Sequence, residues 1–185
     1  MPLSILDPQT ALVVIDLQKG IAQLAGPELI GPAVRNARLL ADAFRKRSLP
    51  VVLVNVAGGA PGRTEQPRPA QSFPSDWTEL LPELGQIADD ICVTKHTWGA
   101  FASTDLKQQM RDRGVTQLVL AGVATSIGVE STARQAYEAG FNVTIALDAM
   151  ADLRPEAHQC SIAHIFPRLG ETGTTQDILK LLERM

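Results

Sequence analysis

The segment LAGVATSIGVESTARQAYEAG, residues 120–140, decides the fold class of this chain. It follows an apolar run typical of a buried strand, turns sharply between two glycines, and continues as a helix with a face of small residues. In α/β proteins a strand–turn–helix elbow of this kind often presents a nucleophilic side chain. The centre of this elbow holds Ser126, Ile127 and Gly128, so it offers a hydroxyl group but no thiol.

Apolar, β-branched runs alternate with helical patterns along the whole chain, which is typical of βαβ units and a mostly parallel sheet. The predicted strands are Ala11–Asp16, Pro50–Val56, Ile91–Lys95, Thr116–Gly122 and Asn142–Ala149, with a short additional strand at Arg168–Thr172. Their near-continuous apolar character indicates that helices cover both faces of the sheet. We therefore expect one domain over residues 1–185, with three α/β/α layers.

Helices are predicted between these strands by apolar residues spaced three and four apart. The longest covers about residues 30–44, with Pro32 in its first turn. Further helices are predicted from Thr104 to Gly114, from Ser126 to Gly140, after Pro155 and after Thr174. Ser126 is expected to cap the helix that it begins, and Thr174 and Asp177 form a capping-box pattern.

The composition excludes several classes of function. The chain has 185 residues, 45% of them hydrophobic, and a net charge of -3 without a basic stripe, so no nucleic-acid partner is expected. No apolar run reaches the roughly 18 residues of a membrane span, and the first residues lack the pattern of a secretion signal, which predicts a cytoplasmic protein. Cys92 and Cys160 have apolar neighbours, and we expect both thiols to be buried.

No cofactor and no metal ion are expected. The glycines of the elbow are not spaced as in a dinucleotide-binding fingerprint. His158 and His164 lie six residues apart on a predicted helix, about 240° around its axis, so they do not converge on a metal ion. We interpret both histidines as surface or packing residues.

The long segment Ala57–Trp77 has four prolines and three glycines, which predicts a loop rather than a helix or strand. A loop of this length is usually either a functional lid or disordered, and its place just after the carboxyl end of a strand favours the lid. Arg63 and Arg68 are then candidates to bind an anionic substrate, with two solvated arginines as the alternative. Trp98 and Phe101 form an apolar wall of the site, part of the core or part of a subunit interface, and of these an interface is slightly favoured.

Three polar features are predicted to meet at one edge of the sheet. Asp16 ends the first strand, Lys95 ends the third, and the elbow follows the fourth. Right-handed crossovers bring the carboxyl ends of parallel strands to the same edge. Burial raises the pKa of an aspartate and a nearby ammonium lowers it. If burial has the larger effect, Asp16 can be a proton donor, and if the charge has the larger effect, it is a base or an electrostatic anchor. Asp148 ends the fifth strand and is expected to cap the following turn.

The chain resembles the isochorismatase-like, or cysteine hydrolase, superfamily in three stretches: ALVVIDLQKGI with Asp16, VTKHTWGAFASTDL with Lys95, and LAGVATSIGVESTARQAYEAGFNVTIALDAMAD. The resemblance implies a six-stranded, Rossmann-like sheet flanked by helices, and a homodimer or homotetramer. It also implies a site shared by Asp16, Lys95 and the elbow, and a cis peptide bond between Val123 and Ala124.

The elbow departs from the amidases of this superfamily, which place a nucleophilic cysteine where this chain has Gly128. Isochorismatases also have glycine there, and their aspartate acts as a general acid without a covalent intermediate. On that scheme Asp16, Lys95 and Gly128 are the catalytic residues. Isochorismatases usually have tyrosine, alanine and histidine at positions matching 124–126, where this chain differs, so isochorismate itself is not the expected substrate. Substrate contacts are expected from Arg63, Trp98, Ala124, Thr125 and Ser126.

Three functions follow from these residues. The first is a hydrolase of a small, anionic metabolite that acts without a covalent intermediate, with Asp16 as general acid or base beside Lys95. The second is an amidase that uses the hydroxyl of Ser126 or Thr125 as its nucleophile. The third is a catalytically silent binding or assembly protein that keeps the fold, since fold alone does not establish function.

Overall fold

The computed structural model describes residues 3–65 and 73–185, and it has a six-stranded, all-parallel sheet. The strands are β1 (Thr10–Ile15), β2 (Val51–Val56), β3 (Ile91–Lys95), β4 (Gln117–Val123), β5 (Asn142–Ala151) and β6 (Glu171–Gly173). Their order across the sheet is β3-β2-β1-β4-β5-β6, and every neighbouring pair is parallel. The predicted fold class is confirmed, including the sixth strand, which begins later than the sequence pattern suggested.

Seven α-helices lie within the described residues. They are α1 (Lys19–Ala25), α2 (Pro27–Lys46), α3 (Leu106–Asp112), α4 (Glu130–Glu138), α5 (Pro155–Cys160), α6 (Phe166–Leu169) and α7 (Thr175–Glu183). Helices α2 and α7 pack against one face of the sheet, and α3, α4 and α6 pack against the other. No helix of the described chain is long and apolar enough to cross a membrane.

Strand β1 shows why the sheet needs a layer of helices on each of its two faces. All six of its residues are buried. Leu12 and Val14 belong to the core beneath α2 and α7, whereas Val13 and Ile15 belong to the core beneath α3 and α4. Because successive side chains point to opposite faces, a strand that is apolar at every position requires a cover on each side.

The strand order reverses between β1 and β4, which are neighbours although they are distant in sequence. In open parallel sheets, ligands bind outside the carboxyl ends of the strands at such a switch point. Asp16 follows β1 directly and the elbow follows β4 directly. The topology therefore places the acid and the elbow on either side of the same crevice.

Several predicted helices differ from those observed. Helix α1 was not predicted, because its seven residues give too few turns for a periodic pattern. Pro27 occupies the first turn of α2, so Pro32 lies inside that helix and not at its start. The predicted helix over residues 126–140 begins instead as a π-helical turn, Thr125–Val129, before α4. Thr174 does form the predicted capping box with Asp177.

The two cysteines were predicted to be buried, and this prediction is wrong. Cys92 lies on β3, an edge strand whose second and fourth residues face outward. Cys160 ends α5 on its exposed side. In β3 only one face is covered, and Cys92 lies on the other, so its apolar sequence neighbours do not bury it.

Gly122 and Gly114 provide a matched test of the close contact between β1 and β4. Both have positive φ, at 118° and 67°, but a Cβ on Gly122 would overlap the backbone of Ile15, whereas a Cβ on Gly114 meets nothing within 4 Å. We expect Gly114→Ala to lower the free energy of unfolding by about 1 kcal/mol, and Gly122→Ala by about 3 kcal/mol or more. Urea denaturation measures both values, and equal losses would contradict the assigned contact.

Candidate active site

The backbone directly after β1 holds Asp16 beside the crevice between the carboxyl ends of β1 and β4. Its φ is 53°, in the left-handed region that aspartate tolerates better than most residues. Its N–H donates to the carbonyl of Val54 on β2 (2.9 Å), and its own carbonyl accepts from the N–H of Gln18 (2.9 Å). These bonds turn the chain sharply and leave the carboxylate buried, at the carboxyl edge of the sheet.

Lys95 reaches this carboxylate from the last position of β3. Its Nζ donates to Oδ2 of Asp16 (2.7 Å) and to the backbone carbonyl of Thr97 (3.1 Å). The lysine side chain is almost completely buried, with 1% of its surface exposed. Because a buried ammonium is stable only when it is paired, this ion pair is a fixed part of the interior. The predicted meeting of the two residues is what the structure shows.

The second carboxyl oxygen of Asp16, Oδ1, differs from Oδ2 in its hydrogen bonding. Oδ1 is buried and has no hydrogen-bond partner among the described residues. A buried carboxylate oxygen normally has a partner, so an unpartnered one needs an explanation, such as a catalytic role. One side of the carboxyl group is therefore fixed by Lys95, and the other is unpaired.

The elbow lies beside Asp16, and its first peptide bond, Val123–Ala124, is cis, as the resemblance implied. Gly128 sits in the π-helical turn that follows. A Cβ on Gly128 would lie 3.2 Å from Oδ2 of Asp16 and 2.9 Å from Cγ2 of Ile15. Residue 128 is thus the elbow position that faces the carboxylate, and glycine leaves no side-chain atom there.

The two hydroxyl groups of the elbow have partners elsewhere. The Thr125 hydroxyl donates to the carbonyl of Ala151 (3.1 Å) and lies 2.8 Å from Nδ1 of His158, and Thr125 is fully buried. Ser126 donates to Oδ2 of Asp152 from both its hydroxyl and its N–H, each at 2.7 Å. Ser126 was predicted to cap a helix. Instead it anchors the π-helical turn, and its hydroxyl makes no capping bond.

Burial raises the pKa of Asp16 from 3.8 to about 6, and the ammonium of Lys95 opposes this rise without cancelling it. The sequence left open which of the two influences is larger. Desolvation is the larger one, so the carboxyl group exchanges protons close to neutral pH. A group with such a pKa can both donate and accept a proton during a reaction.

A cavity of about 270 Å³ opens above this pair. Asp16, Lys95 and Gly128 line its floor, and most of the remaining lining is apolar. The aromatic part of the wall consists of Phe73 and Trp77, stacked at 4.4 Å between ring centroids, and of Trp98, which is 62% exposed. The walls around the ion pair are therefore hydrophobic surfaces from several segments.

The remaining predicted residues lie as follows. Ala124 lines the cavity, Ser126 lines an adjoining open groove, and Thr125 lines neither. Arg63 is exposed and is not among the lining residues, so its role as a substrate contact stays a prediction. Arg68 lies outside the described residues. The alternative place of Trp98, at a subunit interface, is likewise untested.

Asp148 was expected to end β5, but this strand continues to Ala151. Its carboxylate accepts from the N–H (2.6 Å) and the hydroxyl (2.8 Å) of Thr175, so it fixes the start of α7 away from the cavity. The acidic residue that borders the cavity is Asp152, which the sequence reading missed. The sequence did contain a signal for Asp152, because this residue directly follows the observed end of β5. An aspartate in that place can accept hydrogen bonds from the neighbouring turn.

The protein is thus an α/β protein with a parallel sheet, and an aspartate–lysine ion pair and a strand–turn–helix elbow meet at the carboxyl edge of that sheet. Comparison with known proteins gives the family. The model of the isochorismatase domain matches residues 10–177, so the chain belongs to the isochorismatase family. Isochorismatase family protein YwoC of Bacillus subtilis is 44% identical over 179 residues, which cover 93% of each chain. A solved isochorismatase family structure from Burkholderia thailandensis has a TM-score of 0.88 at 39% identity, over 97% of this chain and 98% of that one.

More distant relatives include enzymes with assigned activities. Ureidoacrylate amidohydrolase RutB of Pseudomonas syringae is 28% identical over 207 residues, covering 95% of this chain and 84% of the relative. The family and these relatives support a hydrolase. Within the described residues, no group of three or more His, Cys, Asp or Glu side chains is arranged to hold a metal ion.

The raised pKa of Asp16 predicts a specific dependence of stability on pH. Between about pH 4 and pH 6 the folded chain binds more protons at this carboxyl group than the unfolded chain does, so the free energy of unfolding falls as pH rises. The Asp16→Asn variant lacks this titration. We expect the difference in unfolding free energy, natural protein minus variant, to fall by roughly 2 to 3 kcal/mol from pH 4 to pH 7. Urea denaturation at each pH tests this, and parallel curves would refute it.

Proposed function

We propose that the protein hydrolyses a small metabolite without a covalent intermediate, with Asp16 as its general acid and base. The observation that carries the proposal is the unpartnered, buried Oδ1 of Asp16, a residue that lines the cavity and whose other carboxyl oxygen is bound to Lys95. Gly128, whose Cβ position lies next to that other oxygen, Oδ2, supplies no nucleophilic atom beside the carboxyl group. Proton transfer is the chemistry that this floor supports.

In such a reaction the carboxylate of Asp16 takes a proton from a water molecule while the water oxygen bonds to the electrophilic carbon of the substrate. The bond to the leaving atom then breaks, and the proton passes from Asp16 to that atom. Water is consumed and the carboxylate is restored. With an enol ether, protonated Asp16 first gives its proton to the alkene carbon, and water then adds to the resulting oxocarbenium carbon and returns a proton to the carboxylate. The hemiketal formed in this way breaks down when its hydroxyl proton moves to the leaving oxygen and the C–O bond to that oxygen breaks, which gives a carbonyl compound and an alcohol. A pKa of about 6 suits both reactions at neutral pH.

Lys95 has a supporting role in this scheme. Its ammonium keeps Oδ2 of Asp16 in place, which directs Oδ1 as the oxygen that exchanges the proton. The backbone carbonyl of Thr97 holds the ammonium from a second direction. A carboxyl group fixed in this way needs little reorientation during the reaction, so little free energy is spent on reorganising the site.

A hydroxyl nucleophile is less favoured. The hydroxyl of Thr125 is buried against Ala151 and His158, and that of Ser126 is bound to Asp152. A serine nucleophile needs an adjacent base that is directed at the reacting carbon. Neither hydroxyl is hydrogen-bonded to Asp16, so the geometry supports water as the attacking group.

Replacement of Asp16 tests the proposal directly. A screen of enol ethers, amides and carbamates identifies a hydrolysed compound, and Asp16→Asn is expected to lower its kcat by about 10²- to 10⁴-fold, the typical contribution of a general acid or base. Asp148→Asn is the matched control, because this acid lies on β5 and does not line the cavity. Unchanged turnover in Asp16→Asn would remove the mechanism, and no turnover of any class by the natural protein would favour the silent binding protein.

Gly128→Cys tests whether the floor can also support a covalent route. The new Cβ would lie 3.2 Å from Oδ2 of Asp16, so we expect the variant to gain hydrolysis of an amide or a thioester detectable by mass spectrometry at residue 128. Crowding against Ile15 is expected to destabilise the variant by about 1 to 3 kcal/mol.

Gly128→Ala is the control for this variant, since it adds the same Cβ without a thiol. Adduct formation in Gly128→Cys alone supports a site that is complete except for its nucleophile. Equal behaviour of the two variants toward every amide in the screen would contradict that expectation. Peptide mapping separates residue 128 from the exposed thiols of Cys92 and Cys160.

A further inference from the structure

We infer that the cavity above Asp16 takes an uncharged substrate whose body is apolar and about the size of one ring. The inference rests on the proposed function, because it assumes that the reacting bond lies against Asp16. It differs from the anionic substrate that the sequence suggested, and the reason is the balance of charge and apolar surface around the cavity.

The charged side chains that line the cavity are already paired within the protein. They are Asp16, Lys95 and Asp152 among the described residues. Lys95 is bound to Asp16, and Asp152 accepts hydrogen bonds from Ser126 and from the N–H of Arg154 (2.9 Å). With two acids and one base, the described residues that line the cavity carry a formal charge of -1, so an anion entering the cavity would meet net repulsion from them as well as the loss of its hydration.

Two arginines were expected to bind an anion, and of these Arg68 lies outside the described residues, while Arg63 does not change this balance. Arg63 is exposed and lies outside the lining of both the cavity and the adjoining groove. The single lining ammonium among the described residues is that of Lys95, and an anion could bind it only by competing with Asp16 at 2.7 Å. An uncharged substrate avoids this competition.

The wall of the cavity is suited to an apolar body. Aliphatic side chains of α1 and α2 form one side, and Ile127 and Leu153 form another. The stacked rings of Phe73 and Trp77 and the indole of Trp98 add flat surfaces, on which planar groups pack well. A volume of about 270 Å³ is just below the roughly 300 Å³ at which pockets for drug-sized ligands begin, so the fitting body is small.

The test compares two probes of equal size and different charge, benzamide and benzoate. The chain has two tryptophans, Trp77 and Trp98, and both line the cavity, so tryptophan fluorescence reports binding without any turnover. At pH 8 Asp16 and benzoate are both ionised. We expect saturable binding of benzamide in the millimolar range or below, and at least tenfold weaker binding of benzoate.

Two leucine variants provide the matched control. Leu153 lines the cavity and is 57% exposed, whereas Leu39 on α2 is 53% exposed and does not line it. Leu153→Arg adds a cation at the cavity wall, so it is expected to weaken benzamide, strengthen benzoate and reduce their affinity ratio about tenfold. Leu39→Arg makes the same change in net charge elsewhere and is expected to leave both affinities unchanged.

Benzoate binding as tightly as benzamide, or the absence of saturable benzamide binding, would overturn the inference. So would an equal response of the two arginine variants, because the effect would then come from net charge and not from the cavity. These measurements need no catalysis. A protein that prefers benzamide but hydrolyses nothing in the screen would keep the inferred ligand class and lose the proposed function, and an active protein that prefers benzoate would do the reverse.

Discussion

The buried ion pair of Asp16 and Lys95 is the interaction on which the rest of the site depends. Removing two charges from water is costly, and the cost is recovered only when the partners are close and well bonded. Here the two atoms lie 2.7 Å apart, and Thr97 supplies a second acceptor for the ammonium. Even so, burial dominates the pKa of Asp16, so the pair holds a carboxyl group that is poised to change its protonation state and is not locked as a permanent anion.

Asp16 and Lys95 can meet only if the strands β1, β2 and β3 pair in the observed register. Asp16 follows β1 and Lys95 ends β3, with β2 between them, so the lysine side chain must extend across the end of β2. The side chain of Gln18 also forms hydrogen bonds at the carboxyl edge of the sheet. It accepts from the N–H of Val56 (2.7 Å) and donates to the carbonyls of Val56 (3.1 Å) and Trp77 (2.8 Å), so the aromatic wall of the cavity is tied to the strand that the lysine crosses.

The fold was predictable because its signals are local and redundant. The strand β3 was predicted with its exact bounds, and the charged residue at its end was placed correctly by topology alone. Contacts that depend on where a strand ends were not predictable. The end of β5 was misplaced because Asp148 interrupts an apolar run, and this hid Asp152 as the acid beside the elbow. The direction of the pKa shift of Asp16 also needed the structure, since it depends on how completely its surroundings exclude water.

The elbow explains how one position can set the reaction type. Its backbone is held by groups that do not face Asp16: Ser126 by Asp152, and Thr125 by Ala151 and His158. The side chain at residue 128 is not needed for this framework, but its Cβ position lies within 3.2 Å of the carboxylate. A thiol there would be placed to lose its proton to Asp16, whereas glycine leaves the same space to water or substrate. On the mechanism proposed above, the acid and its ammonium would serve either route, so the absence of one side chain would change the attacking group and leave the proton-transfer site intact.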